Sequence, residues 1–407
     1  MSKKTIFFLL ALFLPFFLFA QYFSTPALLV PYLGNAPEIV SRSAVLIDAA
    51  TGALLYSKNP NEEIPPASLT KLMTMHLLMK EVEAGRAVYD EIIPVTVESW
   101  AQSQPRGSSL MFLAPGQIVT LREIMLGLAV SSGNDAAVAA AFRLAPSMED
   151  FAALMTAEAR RMGLRVTRFT EASGISEHNM TTAEEFAYFC RQYLKQHPQS
   201  IDLFHSVPFF AYPTADNVPE NLRADPHTIT QDNRNSLLKT FSGVDGLKTG
   251  FINEAGYNIA LTARRSGTRF LAVILGAPAE PGGIRIRDED GERLLSWAFD
   301  NFKTVRPLVR KIENARLWKG RENIVELKLD GFADFTAPVD RANTIGYRTV
   351  VSSKLSAPLP EGFQAGYLVF FDEQGELYRA PLFTARAYEK GNIFKRIYHS
   401  IALLFNS

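Results

Sequence analysis

Cysteine is nearly absent from this 407-residue chain: Cys190 stands alone, so no disulfide can form within one copy. Its setting, EEFAYFCRQYL, is that of a small core residue, with no histidine near it in sequence to make it a nucleophile. An excess of charge is also missing. Lys and Arg number 42 and so do Asp and Glu, which removes the basic footprint that a nucleic-acid partner requires. The six histidines, His76, His178, His197, His205, His227 and His399, show no metal-ligand spacing, so no metal and no cofactor are expected. Low-complexity tracts and internal repeats are absent too. What is there, 47% hydrophobic residues with 23 Pro and 25 Gly, is the composition of a globular protein long enough for two domains.

The chain starts MSKKTIFFLLALFLPFFLFAQ, with Lys3 and Lys4 ahead of an apolar run from Thr5 to Ala20. That is the pattern of an export signal over residues 1–20, shorter than the ~20 apolar residues of a bilayer span and ending on a small residue suited to cleavage. An exported protein is expected, at the periplasmic or extracytoplasmic face of the cytoplasmic membrane.

SAVLIDAATGALLYSKN reads as a β-hairpin turning at Thr51-Gly52. Helical patterns run from Ser68 to about Leu194. Strands return in VDGLKTGFINEAGYNIALTARRSGTRFLAVILGA, with turns near Asn253 and Ser266-Gly267. Strands, helices, strands: this order predicts an α/β (α+β) domain over residues 36–303, an antiparallel sheet drawn from both ends of the segment with a helical insertion, closed by the helix in DGERLLSWAFDNF. Short strands between prolines and glycines predict a separate all-β domain over residues 304–385. Over residues 386–407, Ile393, Ile397, Ile401 and Leu404 with Phe394 and Phe405 share one helix face, while Lys395, Arg396 and His399 share the other. Such a helix either docks on its own protein or lies in a membrane interface, and its basic polar face favours the membrane surface as partner.

Three short stretches carry possible chemistry. In PPASLTKLMTMHLLMK, the prolines suit entry into a helix, and Ser68 and Lys71 fall one turn apart on one face. The helix is apolar, and a buried ammonium must find partners or lose its proton. A neutral Lys71 beside Ser68 can take the hydroxyl proton; on a surface helix the same pair would be an N-cap and a solvated charge. In IMLGLAVSSGNDAAVAAAF, Ser132-Gly133-Asn134 interrupts two Ala-rich segments. It is either a loop between core helices, or a site in which Ser132 relays a proton and the Asn134 side chain holds a substrate amide. In GVDGLKTGFINEAGYN, Lys248 and Thr249 stand at the end of an apolar strand, where they are solvated or bind a carboxylate, and Gly250 lets a substrate backbone approach the strand edge.

Ser68-x-x-Lys71, Ser132-x-Asn134 and Lys248-Thr249-Gly250, in that order, resemble the three motifs of penicillin-binding proteins and serine β-lactamases. The flanking PASLTKLMT, GSSLMFLAPGQ, SGNDAA, NRNSLL and VDGLKTG…AGYN resemble the low-molecular-weight serine-type D-alanyl-D-alanine carboxypeptidases, and the likeness covers essentially the mature chain through the β-domain and tail. It implies a β-lactamase/transpeptidase-like fold. It also implies attack by Ser68 on the bond between the terminal D-alanines of a peptidoglycan stem peptide, with Lys71 as base, and inhibition by β-lactam antibiotics. The oxyanion hole would be the backbone N–H groups of Ser68 and Phe251, the latter standing where many relatives have histidine. Arg287 resembles a family arginine near the terminal carboxylate; Arg285 lies close to it, and Arg234 is a further cation that could instead brace the strand. No Glu-x-x-Leu-Asn follows Ser132, and the nearest candidate, Glu171, precedes ASGISE. That favours Lys71 as base, its pKa lowered by burial and by Lys248, and argues against a β-lactamase. A transpeptidase or endopeptidase on the same scaffold and an inactive wall-binding protein are the other readings. The third stem residue and the oligomeric state are not fixed by sequence.

Overall fold

The computed structural model describes residues 36–405; the export segment expected over residues 1–20 lies outside them. Five antiparallel strands form the central sheet, in the order Leu54–Lys58, Ser43–Asp48, Thr268–Ala277, Gly256–Arg265, Val244–Ile252. The hairpin strand Ser43–Asp48 thus pairs with a strand more than two hundred residues later, Val45 lying opposite Val273. Alternation sorts the side chains of the strands between two faces. Val45, Ile47, Leu271 and Val273 pack under the helical insertion, whereas Ala44, Leu46, Ala272 and Ile274 pack against Leu294, Leu295 and Ala298 of helix Gly283–Asn301.

At the centre of the insertion lies helix Lys71–Glu83, whose residues from Lys71 to Met79 are all buried. Each fully buried Leu or Met contributes about 1.5–3 kcal/mol by leaving water. A polar line ties this helix to its neighbours. His76 Nδ1 meets His197 Nε2 at 2.8 Å, His76 Nε2 meets Glu158 Oε1 at 2.8 Å, and His197 Nδ1 contacts Glu83. Glu158 belongs to helix Met148–Arg161 and also takes Lys80 and Arg161; these hydrogen bonds outweigh its burial and hold it well below the usual carboxylate range.

The helical pattern expected from Ser68 to Leu194 is interrupted. Residues 84–120 include Pro94, Pro105 and Pro115 and form loops, with a short pairing of Ile92–Ile93 with Val119–Thr120 and one 3-10 turn, Ala101–Ser103. Helix Ala183–Gln196 resumes behind Thr182, whose side chain caps the Glu185 N–H.

The chain leaves the sheet domain through strand Phe302–Val305, which pairs with Phe335–Pro338. Asp48 stitches the junction: its Oδ2 accepts from Thr304 Oγ1 at 2.7 Å and Thr336 Oγ1 at 2.9 Å. Beyond it, a four-stranded sheet in the order Leu327–Leu329, Gly375–Thr384, Gln364–Asp372, Gly346–Val351 encloses its own apolar core around Phe335, Leu368, Phe370 and Leu382. The final helix is Ile393–Phe405, starting later than residue 386 because Tyr388 is still bridged to Leu359.

Candidate active site

Pro66 leads into a single 3-10 turn, Ala67–Thr70, that feeds the buried helix. Ala67 is held at φ +49°, a left-handed conformation that costs a non-glycine residue about 1–2 kcal/mol. Two glycines let the surroundings close on this strained turn. A Cβ on Gly174, itself at φ +85°, would lie 1.8 Å from Ala67 O; a Cβ on Gly250 would lie 2.9 Å from both Pro66 O and Ser68 N. The bare backbone of the edge strand Val244–Ile252 therefore runs directly beside the Ser68 amide.

Lys71 Nζ sits 3.0 Å from Ser68 Oγ. It also donates to Asn134 Oδ1 at 2.8 Å and to Ser173 O at 2.6 Å. Both of those atoms can only accept. A neutral amine has two N–H bonds and one lone pair; with the N–H bonds taken by Asn134 and Ser173, the lone pair is left for the Ser68 hydroxyl. Burial pushes Lys71 down to about 7, against the opposing pull of Glu171 and Asp135. Burial is thus the leading cause, as expected, while the charges that act most on Lys71 raise its pKa rather than lower it.

Lys248 is equally buried and donates to Ser132 Oγ at 2.9 Å and Thr249 O at 3.0 Å. Burial, then the positive charges of Lys71, Arg234 and Arg287, hold it well below the ordinary lysine value. A substrate carboxylate would relieve this crowding of cations. Ser132 closes one turn of π-helix, Gly127–Ser131, at φ +59°, which turns its hydroxyl into the cleft.

The cleft itself has a volume of about 520 Å³ and is lined by Ser68, Ser132, Asn134, Thr249, Gly250 and Phe251, among others. The Phe251 ring stacks on Tyr257 with centroids 4.3 Å apart, and both residues line the cleft. Arg287 lines the cleft but is 4% exposed and spends its guanidinium on Asp288, with Nε at 2.8 Å and Nη2 at 2.6 Å. Arg234 lines it too and is exposed; Asn233 and Asn235 beside it are tied to Val207 O and Gly246 O. Arg285 instead pairs outward with Glu289.

Some contributors carry no signal in their own residue type. The Ser173 carbonyl is aimed at Lys71 because the Glu171 carboxylate gathers the N–H groups of Ser173 and Gly174 and the Asn179 amide. Glu171 is thereby occupied in shaping its own loop. Asp135, beside Asn134, accepts from the N–H groups of Met111, Phe112 and Leu113 and so fixes the opposite wall. Only the SGNDAA stretch around it hinted at that. Among the described residues no group of His, Cys, Asp or Glu could hold a metal ion.

This geometry agrees with comparisons to known proteins. The family profile for D-alanyl-D-alanine carboxypeptidase matches residues 32–279, and that for the C-terminal domain of penicillin-binding protein 5 matches residues 302–390. The chain belongs to the D-alanyl-D-alanine carboxypeptidase family. A member from Salmonella typhimurium, D-alanyl-D-alanine carboxypeptidase DacD, is 33% identical over 95% of this chain and 96% of its own. Penicillin-binding protein 5 from Haemophilus influenzae superposes with a TM-score of 0.76 at 28% identity, covering 87% of this chain and 99% of that one. Penicillin-binding protein D2 from Listeria monocytogenes, in its ampicillin-bound form, matches with a TM-score of 0.54 at 26% identity over 65% of this chain and all of that one. The carboxypeptidase family thus spans both the sheet domain and the β-domain of this protein.

Proposed function

We infer that the protein is a serine-type D-alanyl-D-alanine carboxypeptidase that removes the terminal D-alanine from peptidoglycan stem peptides. The observation that carries this reading is the Lys71 amine, with acceptors on two sides and Ser68 on the third. Ser68 Oγ attacks the carbonyl carbon of the D-Ala-D-Ala bond as its proton passes to Lys71 Nζ. The oxyanion forms against the N–H groups of Ser68 and Phe251, a reading supported by the close approach of Gly250, next to Phe251, to the Ser68 amide. Ser132, hydrogen-bonded to Lys248, relays that proton from Lys71 to the departing D-alanine nitrogen, giving up its own hydroxyl proton and taking the one from Lys71, as the C–N bond breaks and an acyl-enzyme remains. Water attack then frees the shortened peptide and restores Ser68. The Asn134 Nδ2 side holds the substrate amide, and Lys248, Thr249 and Arg234 receive the terminal carboxylate, with Arg287 behind them as fixed positive charge. Ampicillin binding by the Listeria relative supports the same attack on a β-lactam carbonyl.

The test is covalent labelling with a fluorescent penicillin together with free D-alanine release from a diacyl-Lys-D-Ala-D-Ala peptide. The wild-type protein is expected to do both and Ser68→Ala neither. Labelling without peptide cleavage would point to an endopeptidase, transpeptidase or β-lactamase instead.

Placement at the outer face of the membrane is part of this proposal. Helix Ile393–Phe405 rests on the β-domain by its polar side: the Lys319 N–H donates to His399 Nδ1 at 2.7 Å, and Lys395 Nζ donates to Arg321 O at 3.0 Å. Phe394, Leu404 and Phe405 remain about four-fifths exposed. A helix docked for its own sake would bury those residues, so the outward apolar face supports interfacial membrane binding. Among the described residues no helix is long and apolar enough to cross a membrane. Removing residues 386–407 is expected to release the protein from vesicles while peptide cleavage persists; continued attachment with the export segment cleaved would refute the anchor.

A further inference from the structure

A second cleft, of about 440 Å³, opens at the opposite end of the sheet strands. The edge strand meets the peptidase cleft with Thr249 to Ile252 and this one with Asp245, while the Arg265–Thr268 end of the neighbouring hairpin contributes Arg264, Gly267 and Arg269. Five cationic side chains line it, Arg191, Lys195, Arg264, Arg269 and Arg306, against two carboxylates, Asp202 and Asp245, in a chain whose overall charge is balanced.

Three of the arginines are held in place. Arg191 donates to Ala49 O and Ala50 O, and Gly52, at φ +77°, lets the hairpin turn lie on its guanidinium, where a Cβ would come within 2.9 Å. Arg269 is fixed in a two-toothed pair with Asp245 and by Thr262 Oγ1, which uses up that carboxylate. Arg306 donates to Gly267 O and leans towards Asp334. Lys195 and Arg264 are exposed, with no carboxylate partner among the described residues. Burial and then the charge of Arg191 hold Lys195 below its ordinary value.

We propose that this cleft is an anion-binding site for a phosphate-bearing ligand. Guanidinium groups held by their own hydrogen bonds and an exposed lysine lining one cleft suit a multiply charged tetrahedral anion. The volume exceeds that of a bare phosphate, and Leu194, Pro198 and Ile201 line the remainder, so the phosphate is attached to a larger, partly apolar group. The site acts independently of the peptidase reading, which involves none of these side chains.

The experiment is calorimetric titration of the full-length protein with inorganic pyrophosphate at constant ionic strength, beside the Lys195→Glu/Arg264→Glu double variant. Both side chains are exposed, so folding and D-alanine release are expected to stay at wild-type level. Wild-type protein is expected to bind saturably and the variant about tenfold or more weakly. No saturable binding, or equal binding by both proteins, overturns the proposal. Sedimentation with phosphatidylglycerol and with phosphatidylcholine vesicles separates the sources. A variant-sensitive preference for phosphatidylglycerol assigns the phosphate to a lipid headgroup, whereas vesicle binding indifferent to the variant assigns the pyrophosphate site to a soluble ligand.

Discussion

The sheet domain and the β-domain treat charge in opposite ways. In the first, Lys71, Lys248, Arg287, Asp135, Glu158, Glu185 and Asp290 are all buried; in the second, His399 is the one buried residue among the Lys, Arg, His, Asp and Glu of the described residues. Arg341 and Asp372 come nearest there, at the margin of exposure, paired with each other. Backbone strain divides the same way. Asn59, Ala67, Phe112, Ser132, His227 and Ser266 take positive φ in the sheet domain, whereas among the described residues beyond 302 Lys319 is the one non-glycine residue that does so. Buried charge and strained backbone both cost stability, and the domain that holds the cleft carries most of them.

The largest effect should come from the cleft's own lysine. Lys71→Met is expected to slow penicillin acylation by about 10²–10⁴-fold, measured by stopped-flow labelling, with Arg341→Met leaving that rate unchanged. If both variants acylate alike, the contrast between the domains has no chemical meaning. Acidification should mimic the substitution reversibly. The amine accepts a proton only when neutral, and its pKa in the folded protein is lowered to about 7. Acylation should therefore fall about tenfold per pH unit below that value and level off above it. A limb near ~10.4, where an exposed lysine titrates, would remove Lys71 from the role of base.

Stability differences come next. Glu158→Gln leaves His76, Lys80 and Arg161 without their carboxylate and should cost about 3–5 kcal/mol in denaturant unfolding of the sheet domain. A cost below that of an exposed ion pair, ~1 kcal/mol, would mean the buried line does not brace the helix. Smaller still is a pair of glycine substitutions. Gly174→Ala, pressed against Ala67 O, should cost about 1–3 kcal/mol and slow acylation by displacing Ser68. Gly331→Ala, also at positive φ but with nothing within 4 Å of the new Cβ, should cost only about 1–2 kcal/mol and leave acylation alone. Equal effects on acylation would show that the contact with Ala67 does not position the nucleophile.

Much of this was legible in the residue order. Serine and lysine three apart in an apolar helix can only share a face, and alternating apolar strands at both ends of the segment can only pair across the insertion. Pro94, Pro105 and Pro115 rule out a continuous helix over residues 84–120, since each lacks the backbone N–H that an interior helix position needs. Arg287 and Arg234 were harder to tell apart, because Asp288 follows Arg287 in the chain but only the side-chain conformations on the folded helix turn its carboxylate onto that guanidinium.

The sequence by itself determined which chemical groups are present and the local periodicity that puts Ser68 over Lys71. Only the tertiary structure decided what those groups are. It brings the Ser173 carbonyl, 102 residues away, and Asn134 Oδ1, 63 residues away, onto the Lys71 amine, and it takes water from around that amine. A pKa is set by solvation and by near neighbours in space, and neither is a property of position along the chain.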